Sequence, residues 1–126
     1  MPKTTLGIVG DHFRPPAKAL LKVLPFGTPL QLVAEPSNPY DPNAVKVMLQ
    51  SKDIPHTLKD NFEIEAAKYG FDFAQLMEQS EWQLGYIPRD RAADLAGTFS
   101  ETEPTIGTLG AMTTGKPAIV VQLDTE

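Results

Sequence analysis

Residues 29–49 read PLQLVAEPSNPYDPNAVKVML, and the fold turns on how this stretch divides. Leu30 and Leu32 alternate with Gln31, so residues 29–35 read as a strand with one apolar face. In residues 44–49, Val45, Val47 and Leu49 fall on one face while Lys46 and Met48 fall on the other, which predicts a second strand. Between them, residues 36–43 are almost pure turn chemistry. Pro36, Pro39 and Pro42 fix φ, while Asn38, Asp41 and Asn43 can accept hydrogen bonds from nearby amides. The stretch is strand, rigid loop, strand.

Working outward, Leu6 and Ile8 lie two apart in residues 4–10, a short strand ended by Gly10. Pro15-Pro16 removes two amide donors and breaks any regular element, and Pro25-Phe26-Gly27 reads as a turn. Residues 82–87 alternate again and place Trp82, Leu84 and Tyr86 on one face. Pro88 opens a helix in which Ala92, Leu95, Ala96 and Phe99 follow helical spacing. Residues 105–112 and 117–123 predict a hairpin around Thr113-Thr114-Gly115-Lys116. Residues 54–80 differ in character. Phe62 to Lys68 and then residues 71–79, with Phe73, Leu76 and Met77 spaced three and four apart, predict a helical insertion between strands three and four. The expectation is a single mostly-β domain over residues 1–126 with α additions. It would be a small six-stranded OB/SH3-like barrel, since short sheets protect their edges by curling.

Composition narrows the function classes. The chain has 126 residues, 41% hydrophobic and 21% charged, enough for one core. Without cysteine there is no disulfide framework, CxxC redox pair or thiolate zinc site. No apolar run suits a signal peptide or a membrane span, so a soluble cytoplasmic protein is expected. A net charge of −5 argues against a general grip on nucleic acid. The charge is unevenly placed, however. Residues 1–50 carry five basic and three acidic groups, residues 51–81 three and seven, and residues 100–126 one and four. The acidity therefore lies in the insertion and the tail.

Catalytic motifs are absent: there is no nucleophile elbow, metal-binding HExxH helix or glycine-rich phosphate loop. His12 adjoins Asp11, but strand neighbours point to opposite faces, and His56 follows Pro55 in the insertion. Asp41, Glu35 and Asp11 could together offer hard oxygen ligands to a divalent ion, the basis of a metal-dependent hydrolase reading. Trp82 reads as core, and Arg89 and Arg91 begin a helix, either as phosphate contacts or as a solvated helix start. The proline-rich loop has two readings. One is a connector with Tyr40 packed as a lid on the barrel. The other is a preorganised recognition loop, in which Tyr40 offers a stacking face and Asp41 an acceptor for a hydroxyl.

Three spaced motifs resemble one family. They are Val9-Gly10, the run from Glu35 to Val47, and Leu84-Gly85-Tyr86-Ile87-Pro88-Arg89, and together they resemble the signature of the HIRAN domain. The resemblance covers most of residues 4–99. It implies a barrel related to OB and SH3-like folds, and a non-catalytic module that binds single-stranded DNA at a free 3′-hydroxyl end. It carries DNA-binding roles onto Asn38, Tyr40 and Asp41 in the loop, His12 and Phe13 after the Val-Gly pair, and Tyr86, with Arg14 beside them as a phosphate contact. This chain has His12-Phe13 where a DNA-end-binding relative has Arg-Tyr, and its insertion is much longer. The resemblance implies no catalytic residue, metal or cofactor. Expected partners are single-stranded DNA or DNA 3′ ends, and a helicase or nuclease docked through the acidic insertion. A protein-interaction adaptor on the same fold is the alternative function, ahead of the hydrolase.

Overall fold

A computed structural model describes residues 3–10, 20–54, 64, 78 and 80–122. Six strands form one antiparallel sheet: β1 (Lys3–Gly7), β2 (Pro29–Ala34), β3 (Val45–Gln50), β4 (Glu81–Tyr86), β5 (Thr105–Ala111) and β6 (Pro117–Gln122). Their order across the sheet is β1-β6-β5-β2-β3-β4. Among the described residues, a 3-10 turn, Ser51–Asp53, follows β3, a short helix, α1 (Arg89–Asp94), follows β4, and residues 20–23 form a further helical turn. Of the predicted 54–80 insertion only residues 54, 64, 78 and 80 are described, residue 64 as helical. The rest of its predicted helices lie outside the described residues, as do His12, Phe13 and Arg14.

The stretch at 29–49 forms the centre of the sheet. Leu32 pairs with Val47 and Ala34 with Val45, so the apolar faces of β2 and β3 coincide. Leu30, Leu32, Val47 and Leu49 are fully buried there, each worth about 1.5–3 kcal/mol relative to exposure. Leu6, Leu84, Ile119 and Val121 complete the same core from the other strands. Met48, on the opposite face with Lys46, is buried as well. The closing hairpin forms as expected, with Gly115 in the left-handed region (φ 87°) and its amide donating to the Met112 carbonyl at 2.8 Å.

The sheet curls toward closure without completing it. β1 and β4 are its two edges, yet Val9, just beyond β1, bridges to Tyr86 at the end of β4. The Val9 amide donates to the Tyr86 carbonyl at 2.8 Å, and the Tyr86 amide returns a bond to the Val9 carbonyl at 2.9 Å. The architecture is barrel-like, with the edges joined at one end.

Two local expectations are corrected. The first concerns the 82–87 strand. Val47 pairs with Gly85 but Met48 pairs with Gln83, so β4 carries one extra residue, Leu84, opposite that step. Beyond the bulge Tyr86 pairs with Lys46, and cross-strand partners share a face. Tyr86 therefore stands on the Lys46 face, opposite to the core face where Trp82 packs, and the three residues do not share one side. The second concerns the helix after Pro88, which spans only Arg89–Asp94. Gly97 at φ 82° turns the chain, and Phe99 reaches the core from a loop.

Candidate nucleic-acid interface

The loop between β2 and β3 is built by its own hydrogen bonds. At its neck the Glu35 amide donates to the Ala44 carbonyl at 2.8 Å. Two turns follow, with Asn38 N–H to the Glu35 carbonyl at 3.0 Å and Ala44 N–H to the Asp41 carbonyl at 3.1 Å. The Asn38 side-chain oxygen accepts from the amides of Tyr40 (2.9 Å) and Asp41 (3.1 Å). Asp41 Oδ1 accepts from the Asn43 amide at 3.0 Å. The three prolines sit at positions that ask for no donor, so sequence and hydrogen bonding specify one conformation.

This loop forms one wall of an open cleft of about 280 Å³ lined by Val9, Asn38, Tyr40, Asp41, Ala44, Tyr86, Ile87 and Arg89. Three sequence motifs meet there: the end of the first strand, the proline-rich loop, and the Gly-Tyr-Ile-Pro-Arg segment. Four predicted site residues, Asn38, Tyr40, Asp41 and Tyr86, are brought together. Tyr40 is 86% exposed, which excludes the lid and leaves its ring open to a ligand. Asp41 is the reverse, with a side chain only 16% exposed. Its Oδ2 lies 4.0 Å from Arg89 Nε, an ion pair beyond hydrogen-bond length.

Tyr86 is fixed from behind. Its hydroxyl donates to Glu35 Oε1 at 2.9 Å, and the Asn38 amide nitrogen donates to the same oxygen at 2.7 Å. Lys46 Nζ stands 4.0 Å from Glu35 Oε2. This arrangement exists because the Leu84 bulge turns Tyr86 toward Lys46 and Glu35. Gly85 allows it: a β-carbon there would collide with the Val9 carbonyl.

Arg89, which the sequence offers either as a phosphate contact or as a solvated helix start, is 79% exposed at the start of α1 and lines the cleft. The signal was its position directly after the Gly-Tyr-Ile-Pro box, which places it opposite Asp41. The metal reading gains no support. Glu35 turns to Tyr86, Asn38 and Lys46, whereas Asp41 turns to Asn43 and Arg89. Among the described residues no three histidine, cysteine or carboxylate side chains come together as a metal site, and Asp11 lies outside them. Another cleft, of about 250 Å³, is lined by Pro36, Pro42, Leu95 and Phe99, with Glu101 the one ionisable group among the described residues that line it. It lacks the convergence of aromatic, acid and base. No described helix is long and apolar enough to cross a membrane.

Comparison with known proteins agrees with the motifs. The family model described as HIRAN domain matches residues 8–108, a span that contains every wall of the cleft. No curated protein matches the chain, and neither does any solved structure. HIRAN domains are known as nucleic-acid-binding modules, and this chain belongs to the HIRAN domain family.

Proposed function

We propose that the chain is a non-catalytic module that binds single-stranded DNA at a free 3′-hydroxyl end. The observation that carries this reading is the meeting of an exposed aromatic face (Tyr40), a largely buried carboxylate (Asp41) and an exposed guanidinium (Arg89) at one cleft. A terminal 3′-hydroxyl donates to Asp41 in a charge-assisted hydrogen bond. Tyr40 stacks on a terminal base, and Arg89 meets the adjacent phosphate. His12, Phe13 and Arg14, outside the described residues, belong to the same proposal as DNA contacts.

The balance of charges supports end selection. A continuing strand or a 3′-phosphate sets an anion beside Asp41, a repulsion of about 4 kcal/mol at 4 Å for an effective dielectric near 20. Arg89 is 79% exposed, so its attraction is worth about 1 kcal/mol or less. Repulsion wins, and the carboxylate rejects internal positions. The net −4 of residues 51–81 supports an added role for the insertion in docking a helicase or nuclease partner.

Fluorescence anisotropy with short single-stranded oligonucleotides tests the reading. A 3′-hydroxyl strand should bind at least tenfold more tightly than its 3′-phosphate counterpart. Asp41→Ala should bring the two within about twofold, since a hydrogen bond to a charged group contributes about 1.5–3 kcal/mol. Equal, negligible binding of both strands by the wild-type protein would overturn it.

A further inference from the structure

We propose that Glu35, outside the cleft lining, is its positioning residue: one carboxylate oxygen orients both the Tyr86 wall and, through Asn38, the Tyr40–Asp41 tip. The inference rests on the nucleic-acid reading for its purpose, and on hydrogen bonds alone for its mechanism. Glu35 Oε1 accepts from the Tyr86 hydroxyl at 2.9 Å and from Asn38 Nδ2 at 2.7 Å. With its nitrogen held there, the Asn38 amide turns its oxygen toward the Tyr40 and Asp41 amides, at 2.9 and 3.1 Å. Both ligand-facing residues of the tip thus hang from one side chain, whose orientation is set by Glu35. The same oxygen ties this loop to β4, because Tyr86 reaches it from the opposite wall.

The role needs a carboxylate, and shape alone does not meet it. Oε1 faces two donors and Oε2 faces the Lys46 ammonium at 4.0 Å. Glutamine at this position must aim its NH₂ either at those two donors or at a cation, and both are unfavourable. Glu35 is only 23% exposed in its side chain, so water does not readily replace the lost acceptor. The carboxylate that a metal reading would treat as a ligand has one oxygen occupied by two donors and the other facing the Lys46 ammonium.

The test compares wild type, Glu35→Gln, Asn38→Ala and the double variant by amide hydrogen exchange and by anisotropy with a 3′-hydroxyl oligonucleotide. Glu35→Gln should speed exchange at the Tyr40 and Asp41 amides about tenfold, and leave the distant Gly27 amide, bonded to the Leu109 carbonyl, at its wild-type rate. It should weaken oligonucleotide binding about tenfold. The double variant should be no worse than Asn38→Ala at these two amides, because Glu35 acts on them through Asn38. Wild-type exchange at Tyr40 and Asp41 in Glu35→Gln overturns the proposal, as does equal acceleration at Gly27, the sign of a general loss of stability. Accelerated exchange at the tip in a protein whose wild type binds no oligonucleotide upholds the positioning role and overturns the nucleic-acid reading.

Discussion

At the scale of single residues, Tyr40 and Arg89 illustrate how exposure separates function from stability. A tyrosine that is 86% exposed gives up little by truncation, since surface substitutions usually change stability by about 0.5 kcal/mol or less. Its ring nevertheless lines the cleft, where under the proposed function stacking on a base would contribute about 1–3 kcal/mol. Tyr40→Ala should therefore weaken oligonucleotide binding roughly tenfold to hundredfold while leaving the urea midpoint unchanged. Tyr40→Phe should retain most of the affinity, because stacking uses the ring face and not the hydroxyl. Anisotropy and urea titration on the same samples check both statements. A midpoint that falls with affinity in Tyr40→Ala would mean the ring supports the loop and does not serve a ligand. Arg89 follows the same logic with charge in place of a ring: its ion pair with Asp41 is long and solvated, so its removal should spare stability and lower affinity.

At the scale of elements, the bulged end of β4 decides where the site forms. Gly85 sits against the Val9 carbonyl with no room for a β-carbon, and the obstructing atom is backbone, which cannot rotate aside. Gly85→Ala must therefore part residue 9 from β4 and break the reciprocal Val9–Tyr86 bonds of 2.8 and 2.9 Å. Those bonds contribute about 0.5–1.5 kcal/mol each, and displacement of Ile8 from the core adds to them. A loss of about 3 kcal/mol is expected, read as a lower urea midpoint with faster exchange at the Tyr86 amide; an unchanged midpoint would show that this junction does not hold the edges together. The same junction explains what the sequence could and could not reveal. The strands at 29–35 and 44–49, the closing hairpin and the Tyr40–Asp41 tip were legible because they depend on alternation and on proline, asparagine and glycine acting locally. The facing of Tyr86 was not, because alternation is reset by a bulge beside which Gly85 packs against the distant Val9 carbonyl. The sequence leaves Arg89 between a phosphate contact and a solvated helix start for a related reason: its place beside Asp41 depends on a loop distant in sequence. A glycine inside an apolar strand was the available sign of a bulge or a close approach.

At the scale of the whole molecule, the net charge of −5 and the small number of cations at the cleft set the kind of binding to expect. Arg89 is the cationic side chain among the described residues lining the cleft. Each phosphate neutralised on a single strand contributes about −0.7 to the slope of log K against log salt. One such contact gives a slope near −0.7, and a second from Arg14 would bring it to about −1.4. Most of the acidity lies at residues 51–81 and 100–126, away from the motif-bearing segments, so it would not abolish such a contact but would add no attraction at long range. Affinity should then come chiefly from the end: stacking on Tyr40 and the hydroxyl bond to Asp41, neither of which releases counterions. Anisotropy titrations between 50 and 200 mM salt should give a shallow slope in the wild type, and Arg89→Ala should flatten it by about 0.7 while keeping the preference for a 3′-hydroxyl over a 3′-phosphate. A slope steeper than about −3, or one unaffected by Arg89→Ala, would place the strand on a different, more basic surface and remove the cleft from the interface.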